Sequence, residues 1–275
     1  MDARRTLLLL HPAGRDELTL TATTTASPEN VIIDRMTPVG GDITIFWGDG
    51  DSTVQAPGDE ASETHSYATA GTYQIRVTPA SRIQQVDLHR SQLSGFNSTM
   101  LRDSPITYFR CFSIGNAQPN AVSSADMSAW TPTHWGLYSM PAGTYAIDSQ
   151  HMSAWTPTGW YLYSMPAGDL TFTINPNHFA GWTTTTSVVA NDNSLLQADV
   201  DALLWGMYQA SVAPRTVAGG TINVGGDNAA PSGVFQAAAA CPVTAATDGK
   251  EVAHELLNDG CAEGFNVWAT VTITA

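Results

Sequence analysis

Alternating apolar and polar positions dominate residues 18–79 of the chain. Alternation in short runs rich in β-branched residues predicts half-buried β-strands, and the polar stretches between the runs predict turns. The predicted strands cover residues 18–22, 31–33, 43–47 and 73–77, the last with its apolar side chains on one face. The N-terminal part of the chain is therefore predicted to consist of strands joined by turns.

A near-identical pair of segments follows in the middle of the chain. Residues 127–143 return as residues 152–168, an offset of 25 residues, with changes only at His134/Gly159 and Gly136/Tyr161. A period of about 20–29 residues is typical of a solenoid of the leucine-rich type, in which each coil covers the apolar face of its neighbour. We expect Leu137 and Leu162 to lie one above the other inside the stack.

The hydrophobic period becomes helical towards the C-terminal end. Residues 195–211 are predicted to form a helix with Ser194 as its N-cap. Residues 249–258 form a second short helix, and residues 221–224 and 265–274 form strands. We expect this region to cap the stack, because a terminal coil must close the apolar core.

Residues 1–17 form a predicted N-terminal arm with a run of four leucines. Two interpretations stay open: a frayed terminus whose strand docks on the next domain, or an arm that adds a strand to a neighbouring subunit. Four leucines are too few for a signal peptide, which needs about 7–15 apolar residues. No stretch approaches the roughly 20 apolar residues of a membrane span. We therefore expect a protein made soluble in a cytoplasm, which reaches any outside location without Sec export.

Charge and composition exclude several classes of partner. The formal net charge is −14, and Lys250 is the single lysine. Nucleic-acid binding needs clustered Lys and Arg, which this chain lacks, and an anionic membrane surface is disfavoured for the same reason. Charged residues make up only 13% of the chain. A Thr-rich surface of low charge suits β-rich proteins that act outside cells or in assemblies.

The three cysteines, Cys111, Cys241 and Cys261, form no CxxC pair and no Cys/His ligand array. An odd number argues against a disulfide framework. A Cys241–Cys261 pair stays open, but the spacing favours reduced, buried cysteines.

One group of residues resembles a known family. A Trp47-Gly-Asp-Gly turn is followed by His65-x-Tyr67 and then by Gly71-Thr-Tyr73 and a closing strand. This order resembles the polycystic-kidney-disease (PKD) domain, over about residues 18–79. The resemblance implies an immunoglobulin-like β-sandwich that acts as a spacer or adhesion module, and it implies no reaction.

The C-terminal region resembles a second family. A helix, the segment Thr221-Ile-Asn-Val-Gly-Gly-Asp-Asn-Ala-Ala-Pro-Ser-Gly233, a second helix and a Trp-containing strand look like the last coil of irregular leucine-rich-repeat proteins. Such proteins are common among tailed-phage virion proteins and bacterial surface proteins, and a PKD-like module often precedes their repeats. The resemblance covers about residues 81–275.

The expected fold is therefore mainly β with a minor α/β part: an immunoglobulin-like β-sandwich followed by a leucine-rich-repeat-like solenoid with an α/β C-terminal cap. We predict four segments along the chain. They are an arm (1–17), a PKD-like sandwich (18–80), a solenoid (81–190) and a helix-strand capping region (191–275).

Sequence signatures of catalysis are absent. The chain has no GxGxxG, GxxxxGK[ST] or GxSxG motif, and His254-Glu255 lacks the second histidine of the zinc motif HExxH. We predict no enzyme activity, no cofactor and no metal site. Asp49 and Asp51 are weak calcium candidates, since the calcium-loop pattern stops at Thr53 and turn chemistry explains both aspartates.

Aromatic residues that recur with the repeat are the candidates for partner binding. Either they pack coil against coil in the core, which we favour, or some form an exposed ladder that stacks on sugar rings or on a partner protein. The candidates are Trp130, Trp135, Trp155, Trp160, Tyr138 and Tyr163.

These resemblances imply a non-enzymatic virion structural protein of a tailed phage, which decorates the capsid or tail or contacts a host surface. The expected partners are other virion proteins and copies of the chain itself in a symmetric assembly, with a host-surface protein or glycan as a further candidate. Virion assembly in the host cytoplasm agrees with the lack of an export signal. The alternative is a bacterial cell-surface adhesin or extracellular structural protein that binds protein or carbohydrate.

Overall fold

The computed structural model describes residues 16–212, 219–233, 249–258 and 268–274. Within these ranges the chain is mainly β, built from several sheets with two α-helices, as the sequence predicted. The predicted arm falls almost wholly outside the described residues, and so do Cys241 and Cys261. Cys111 is buried as a free thiol.

Seven strands make up the N-terminal part. They are β1 (Leu18–Thr24), β2 (Glu29–Ile33), β3 (Arg35–Pro38), β4 (Ile43–Phe46), β5 (Ser52–Gln55), β6 (Glu63–Tyr67) and β7 (Gly71–Thr78). The strands β5, β4, β7 and β1 are antiparallel neighbours in one sheet, while β2 and β6 form a two-stranded antiparallel sheet. Alternate residues of β1 are fully or almost fully buried, as the period-two pattern requires.

The rest of the chain winds into stacked coils. Its strands are β8 (Ile83–Leu88), β9 (Leu93–Ser94), β10 (Tyr108–Phe112), β11 (Asn120–Ser123), β12 (His134–Tyr138), β13 (Gly143–Asp148), β14 (Gly159–Tyr163), β15 (Leu170–Thr173), β16 (Ser187–Val189), β17 (Thr221–Asn223) and β18 (Thr270–Thr272). An eight-stranded sheet has the order β18-β17-β16-β14-β12-β10-β8-β3, and its strands are parallel except for β3. A second parallel sheet has the order β11-β13-β15.

The two near-identical segments lie in neighbouring coils. Their strands β12 and β14 pair in parallel register, with Trp135 opposite Trp160 and Leu137 opposite Leu162. The prediction that the twin segments stack is confirmed. Their backbone shape also repeats, because the serine after each strand has a positive φ. These serines are Ser113 (49°), Ser139 (49°) and Ser164 (53°).

A serine ladder joins successive coils on the side of the second sheet. The side chain of Ser124 accepts from the Asp148 N–H at 2.8 Å and contacts His151 Nδ1 at 3.0 Å. One coil later, Ser149 accepts from the Asn175 N–H at 2.8 Å and contacts His178 Nδ1 at 3.1 Å. Each serine lies at the first position of a 3-10 turn: Ser124–Met127 and Ser149–Met152. The ladder fixes the vertical register of the coils.

Replacing Ser149 with alanine is expected to lower the free energy of unfolding by about 1–2 kcal/mol, because the Asn175 N–H loses its acceptor. Urea denaturation followed by circular dichroism measures the change. Ser153→Ala is the matched control: Ser153 is exposed and, within the described residues, its hydroxyl bonds only the Gln150 carbonyl of its own turn, so its effect should stay within about 0.5 kcal/mol. Equal stability of the Ser149 variant and the wild type would contradict the ladder.

The N-terminal part and the stacked coils share their sheets. Strand β3 runs antiparallel to β8 at the edge of the eight-stranded sheet, and β9 pairs with β1 in the five-stranded sheet. Each part thus contributes a strand to a sheet of the other. Hydrogen-bonded strand pairs therefore connect the two sides of the segment boundary that we expected near residue 80.

Two helices pack at the C-terminal end of the described stack. They are α1 (Gln197–Val212) and α2 (Gly249–Asn258). The prediction that Ser194 caps the first helix is wrong, because the helix begins at Gln197 and Ser194 has a φ of 53°. The Ser194 hydroxyl instead donates to Asp227 Oδ2 at 3.0 Å. A tertiary contact has replaced the local cap.

Candidate functional site

The structure separates the six aromatic candidates into two groups. The four tryptophans lie in the core between the sheets and are at most 1% exposed; they are Trp130, Trp135, Trp155 and Trp160. They therefore have no surface to offer a partner. Tyr138 and Tyr163 lie on the opposite, outward face of the eight-stranded sheet and are half-buried.

A row of stacked rings crosses this outward face from coil to coil. His89 stacks on Phe112 with ring centroids 4.8 Å apart, Phe112 on Tyr138 at 4.6 Å, and Tyr138 on Tyr163 at 4.4 Å. These spacings follow the distance between neighbouring strands. Because each ring covers the faces of its neighbours, the row presents ring edges and phenol hydroxyls outwards. We call His89, Phe112, Tyr138 and Tyr163 the ring row.

A second, shorter set of rings lies beside the ring row. Tyr108 stacks on His134 at 5.2 Å, and His134 contacts Tyr161 at 5.0 Å. Gly159 leaves room for this contact, since a Cβ there would lie 2.7 Å from Tyr161 Cε2 and 3.0 Å from His134 Cε1. The glycine in the second copy of the repeat thus allows the tyrosine ring to lean over the sheet.

Cationic side chains lie among the rings. The Arg35 guanidinium lies over Tyr108, 5.0 Å from the ring centroid, and Arg110 lies over Phe112 at 5.2 Å. Arg110 also bonds Asp87 on the neighbouring strand at 2.5 Å. The hydrogen bond that Arg110 donates to Asp87 raises the pKa of Arg110, so this charge is permanent. Burial raises the pKa of the Tyr138 phenol, so its hydroxyl stays protonated at neutral pH.

The sequence analysis missed most of this face. Tyr108, Phe112 and Arg110 lie on β10, in a coil whose sequence does not match the near-identical pair. A usable signal was present: residues 107–114 form an apolar-rich run of strand length, and alternate side chains of a strand point to opposite faces, so one set must point outwards. Combining this alternation with the repeat would have placed Phe112 beside Tyr138.

A pocket of about 390 Å³ lies where the ring row meets the N-terminal part. Asn30 and Ile32 of β2, residues 89–92 after β8, and Ser113 line it. Its walls therefore come from three separate stretches of the chain, and all but Ile32 are polar.

Acidic groups lie behind the pocket wall. Arg90 bonds Asp34 at 2.6 Å, and His89 Nδ1 lies 2.9 Å from the other oxygen of the same carboxylate. His89 also lies 3.6 Å from Asp87. Burial raises the pKa of Asp34, although the neighbouring Arg90 and His89 side chains act to lower it.

The calcium candidates lie in the turn between β4 and β5, far along the chain from the ring row. Asp49, Asp51 and His65 bring three ligand atoms within 4.8 Å of one another. His65 Nε2 lies 2.7 Å from Asp49 Oδ2, and the His65 ring stacks on Trp47 at 4.9 Å. Burial acts to raise the pKa of Asp49, but the bonds from His65 and the Asp51 N–H outweigh it and hold the pKa low. The Asp49–His65 contact therefore holds the turn against β6.

We expect the melting temperature to be the same in excess calcium and in excess chelator. Calcium requires six to eight oxygen ligands, whereas this cluster offers two carboxylates, one of them already engaged by an imidazole. Differential scanning calorimetry measures both conditions. A rise in melting temperature with calcium that Asp51→Asn abolishes would contradict this prediction.

The Ser–His contacts of the serine ladder do not form a nucleophilic site. Ser124 and Ser149 are at most 1% exposed, and each hydroxyl oxygen already accepts from a backbone N–H. A substrate carbonyl has no access to either oxygen.

None of the helices in the described ranges has the length and apolar content needed to cross a membrane. No protein-family model, curated protein or solved structure matches the chain.

Proposed function

We propose that this chain is a non-enzymatic structural protein of a tailed-phage virion, which displays the outward face of its stacked coils to a binding partner. The observation that carries this proposal is the ring row, which continues across four coils above a core of buried tryptophans. Tyrosine is enriched at interfaces because it combines an apolar ring with a hydroxyl. A surface of this kind, held on a rigid stack, suits display rather than turnover.

We also propose that the coils form a solenoid of the leucine-rich type. Two buried asparagines support this assignment, since each donates to a carbonyl of its own coil and to one of the preceding coil. Asn193 donates to Ala190 at 3.1 Å and to Leu162 at 2.5 Å. Asn228 donates to Val224 at 3.0 Å and, one coil back, to Ala190 at 2.7 Å. Such asparagine bonds satisfy backbone groups at each corner of a coil.

The N-terminal strands are proposed to form an immunoglobulin-like sandwich related to PKD domains. The contacts of its turn support this. Trp47 is buried, its carbonyl accepts from the Tyr67 hydroxyl at 2.6 Å, and its indole N–H donates to Thr53 at 2.9 Å. The residues that carry the family resemblance thus contact one another. In the proposed role, this part anchors the chain and the coils meet the partner.

Immunogold labelling tests the virion assignment. Antibodies against the purified chain are applied to phage particles and to cell envelopes from the same source culture. Label on capsids or tails is the expected result. Label confined to the cell envelope would favour the surface-adhesin alternative, and particles without label would overturn the proposal.

A further inference from the structure

The pocket at the start of the ring row is lined by groups suited to a polyhydroxylated ligand. Asn30 and Gln92 offer amides, while Ser91 and Ser113 offer hydroxyls. Among the described residues, the side chains of Asn30, Ser91 and Ser113 make no hydrogen bond to the protein, and all three are exposed. They are free to bond a ligand. The volume of about 390 Å³ falls in the usual range for small-molecule sites.

Charged groups of both signs lie around this pocket: two arginines are the outer partners of ion pairs, and the Glu29 carboxylate accepts from the pocket residue Gln92 at 3.3 Å. Arg90 is 35% exposed while its partner Asp34 is 13% exposed. Arg110 is 33% exposed while its partner Asp87 is 7% exposed. In both pairs the guanidinium faces outwards and the carboxylate lies beneath it. Because Arg90 also lines the pocket, an anionic group bound there can pair with its guanidinium.

The ring row extends the site beyond the pocket. It begins at His89, which also lines the pocket, and it advances one ring per strand, with ring centroids 4.8, 4.6 and 4.4 Å apart in turn. That step is close to the length of one sugar ring. The phenol edges of Tyr138 and Tyr163 supply hydroxyls along the row. A linear oligosaccharide matches this arrangement unit by unit.

A peptide fits the same surface poorly. Extended peptides bind at free strand edges or place side chains in apolar pockets. Three rings of the row lie on the strands β10, β12 and β14 and the fourth follows β8, and all four strands have paired neighbours on both sides. Ile32 is the one apolar residue of the pocket wall among those described.

We propose that the pocket and the ring row together bind an oligosaccharide that carries a carboxylate, such as one containing uronic or sialic acid. The acidic sugar occupies the pocket beside Arg90, and the following sugars lie along Tyr138 and Tyr163. This inference rests on the proposed display function and names the class of its ligand.

The full chain is tested on a panel of immobilised oligosaccharides that contain uronic or sialic acids, each beside its methyl ester. The ligand bound most tightly is then titrated by calorimetry, together with a hexaglutamate peptide. We expect binding of acidic sugars that weakens at least about tenfold on esterification, since a charge-assisted hydrogen bond is lost. Equal binding of the esters, no binding of any acidic sugar, or equal binding of the peptide would overturn the proposal.

Variants locate the site. Arg90→Gln should weaken binding about tenfold or more, and Ser91→Phe should abolish it by filling the pocket without removing a protein hydrogen bond. Arg102→Gln is the matched control, because Arg102 is an exposed arginine over the buried Asp126 on another side of the coils. If Arg90→Gln fails to fold, Ser91→Phe decides alone. Unchanged affinity in Ser91→Phe would contradict the site.

This experiment separates the two proposals. Chains that label on phage particles but bind no acidic sugar would leave the virion assignment in place and remove only the ligand class. Chains that bind acidic sugars but are absent from phage particles would overturn the virion assignment and leave the ligand class in place.

Discussion

Replacing Trp135 with alanine is expected to lower the free energy of unfolding by about 3–5 kcal/mol, the usual cost of truncating a large buried aromatic residue. Trp135 is fully buried and lies at the centre of the stack. Its ring centroid is 5.6 Å from that of Trp160, 6.1 Å from that of Trp155 and 6.1 Å from that of Phe109. Truncation therefore opens a cavity that touches three neighbouring rings at once.

Urea denaturation measures this effect, and Leu196→Ala is its control. Leu196 is 71% exposed, so its loss should change stability by no more than about 0.5 kcal/mol. Comparable small effects in both variants would show that Trp135 is not packed between coils.

A milder substitution separates packing from hydrogen bonding. The Trp130 indole N–H donates to the Leu101 carbonyl at 3.0 Å, whereas the buried Trp160 indole N–H has no partner in the described part of the chain. Trp130→Phe therefore loses a bond that Trp160→Phe does not, and we expect it to cost about 1 kcal/mol more.

Gly48→Ala is expected to destabilise the protein by about 3 kcal/mol, because strain and a clash act together. Gly48 has a φ of 88°, and a Cβ there would lie 2.6 Å from the Gln74 carbonyl oxygen of β7. That atom belongs to a paired strand and cannot move aside cheaply. The turn that carries the PKD resemblance is thus held against the sheet by backbone contact.

Gly50→Ala is the matched control for this prediction. Gly50 also has a positive φ, 111°, but no atom of the described residues lies within 4 Å of a Cβ at that position. It should therefore show only the backbone strain, about 1–2 kcal/mol. Thermal melts of both variants provide the comparison. Equal effects would mean that the close approach of Gly48 to Gln74 does not exist.

The repeat could be predicted because its two copies are nearly identical in sequence. Two copies with the same residues must adopt the same local backbone, and a fixed offset of 25 residues then places one copy above the other. The inward position of Leu137 followed directly, and core packing was the favoured of two interpretations for Trp135. The two helices were predictable for a similar reason, since their apolar residues recur at helical spacing.

The junction could not be predicted, because it depends on contacts that are remote in sequence. Strand β3 joins the sheet of the coils through β8, and the partners Met36 and Val86 are separated by most of the N-terminal part. No local pattern distinguishes such an edge strand from the others. The pocket lies at this junction, so it could not be predicted from the sequence either.

The outward face was predicted only in part, through Tyr138 and Tyr163. The candidates for partner binding were aromatic residues that recur with the repeat, so four buried tryptophans were among them. The ring row instead continues through Phe112 and His89, which differ in type from the tyrosines they stack on. A flat ring recurs at each step of the row while the residue type changes. A comparison of residue identities between the coils cannot detect this recurrence.

The register of the coils is the central claim, and a pair of introduced cysteines measures it directly. Tyr138 and Tyr163 are opposite each other on β12 and β14, whereas Tyr138 and Tyr161 are offset by two residues. With Cys111, Cys241 and Cys261 replaced by alanine, mild oxidation should join Tyr138→Cys to Tyr163→Cys, because opposite positions lie within the range for a disulfide. Tyr138→Cys with Tyr161→Cys should stay reduced. Mass spectrometry of the digested protein would contradict the account if the offset pair were joined as fully as the opposite pair, or if neither were joined.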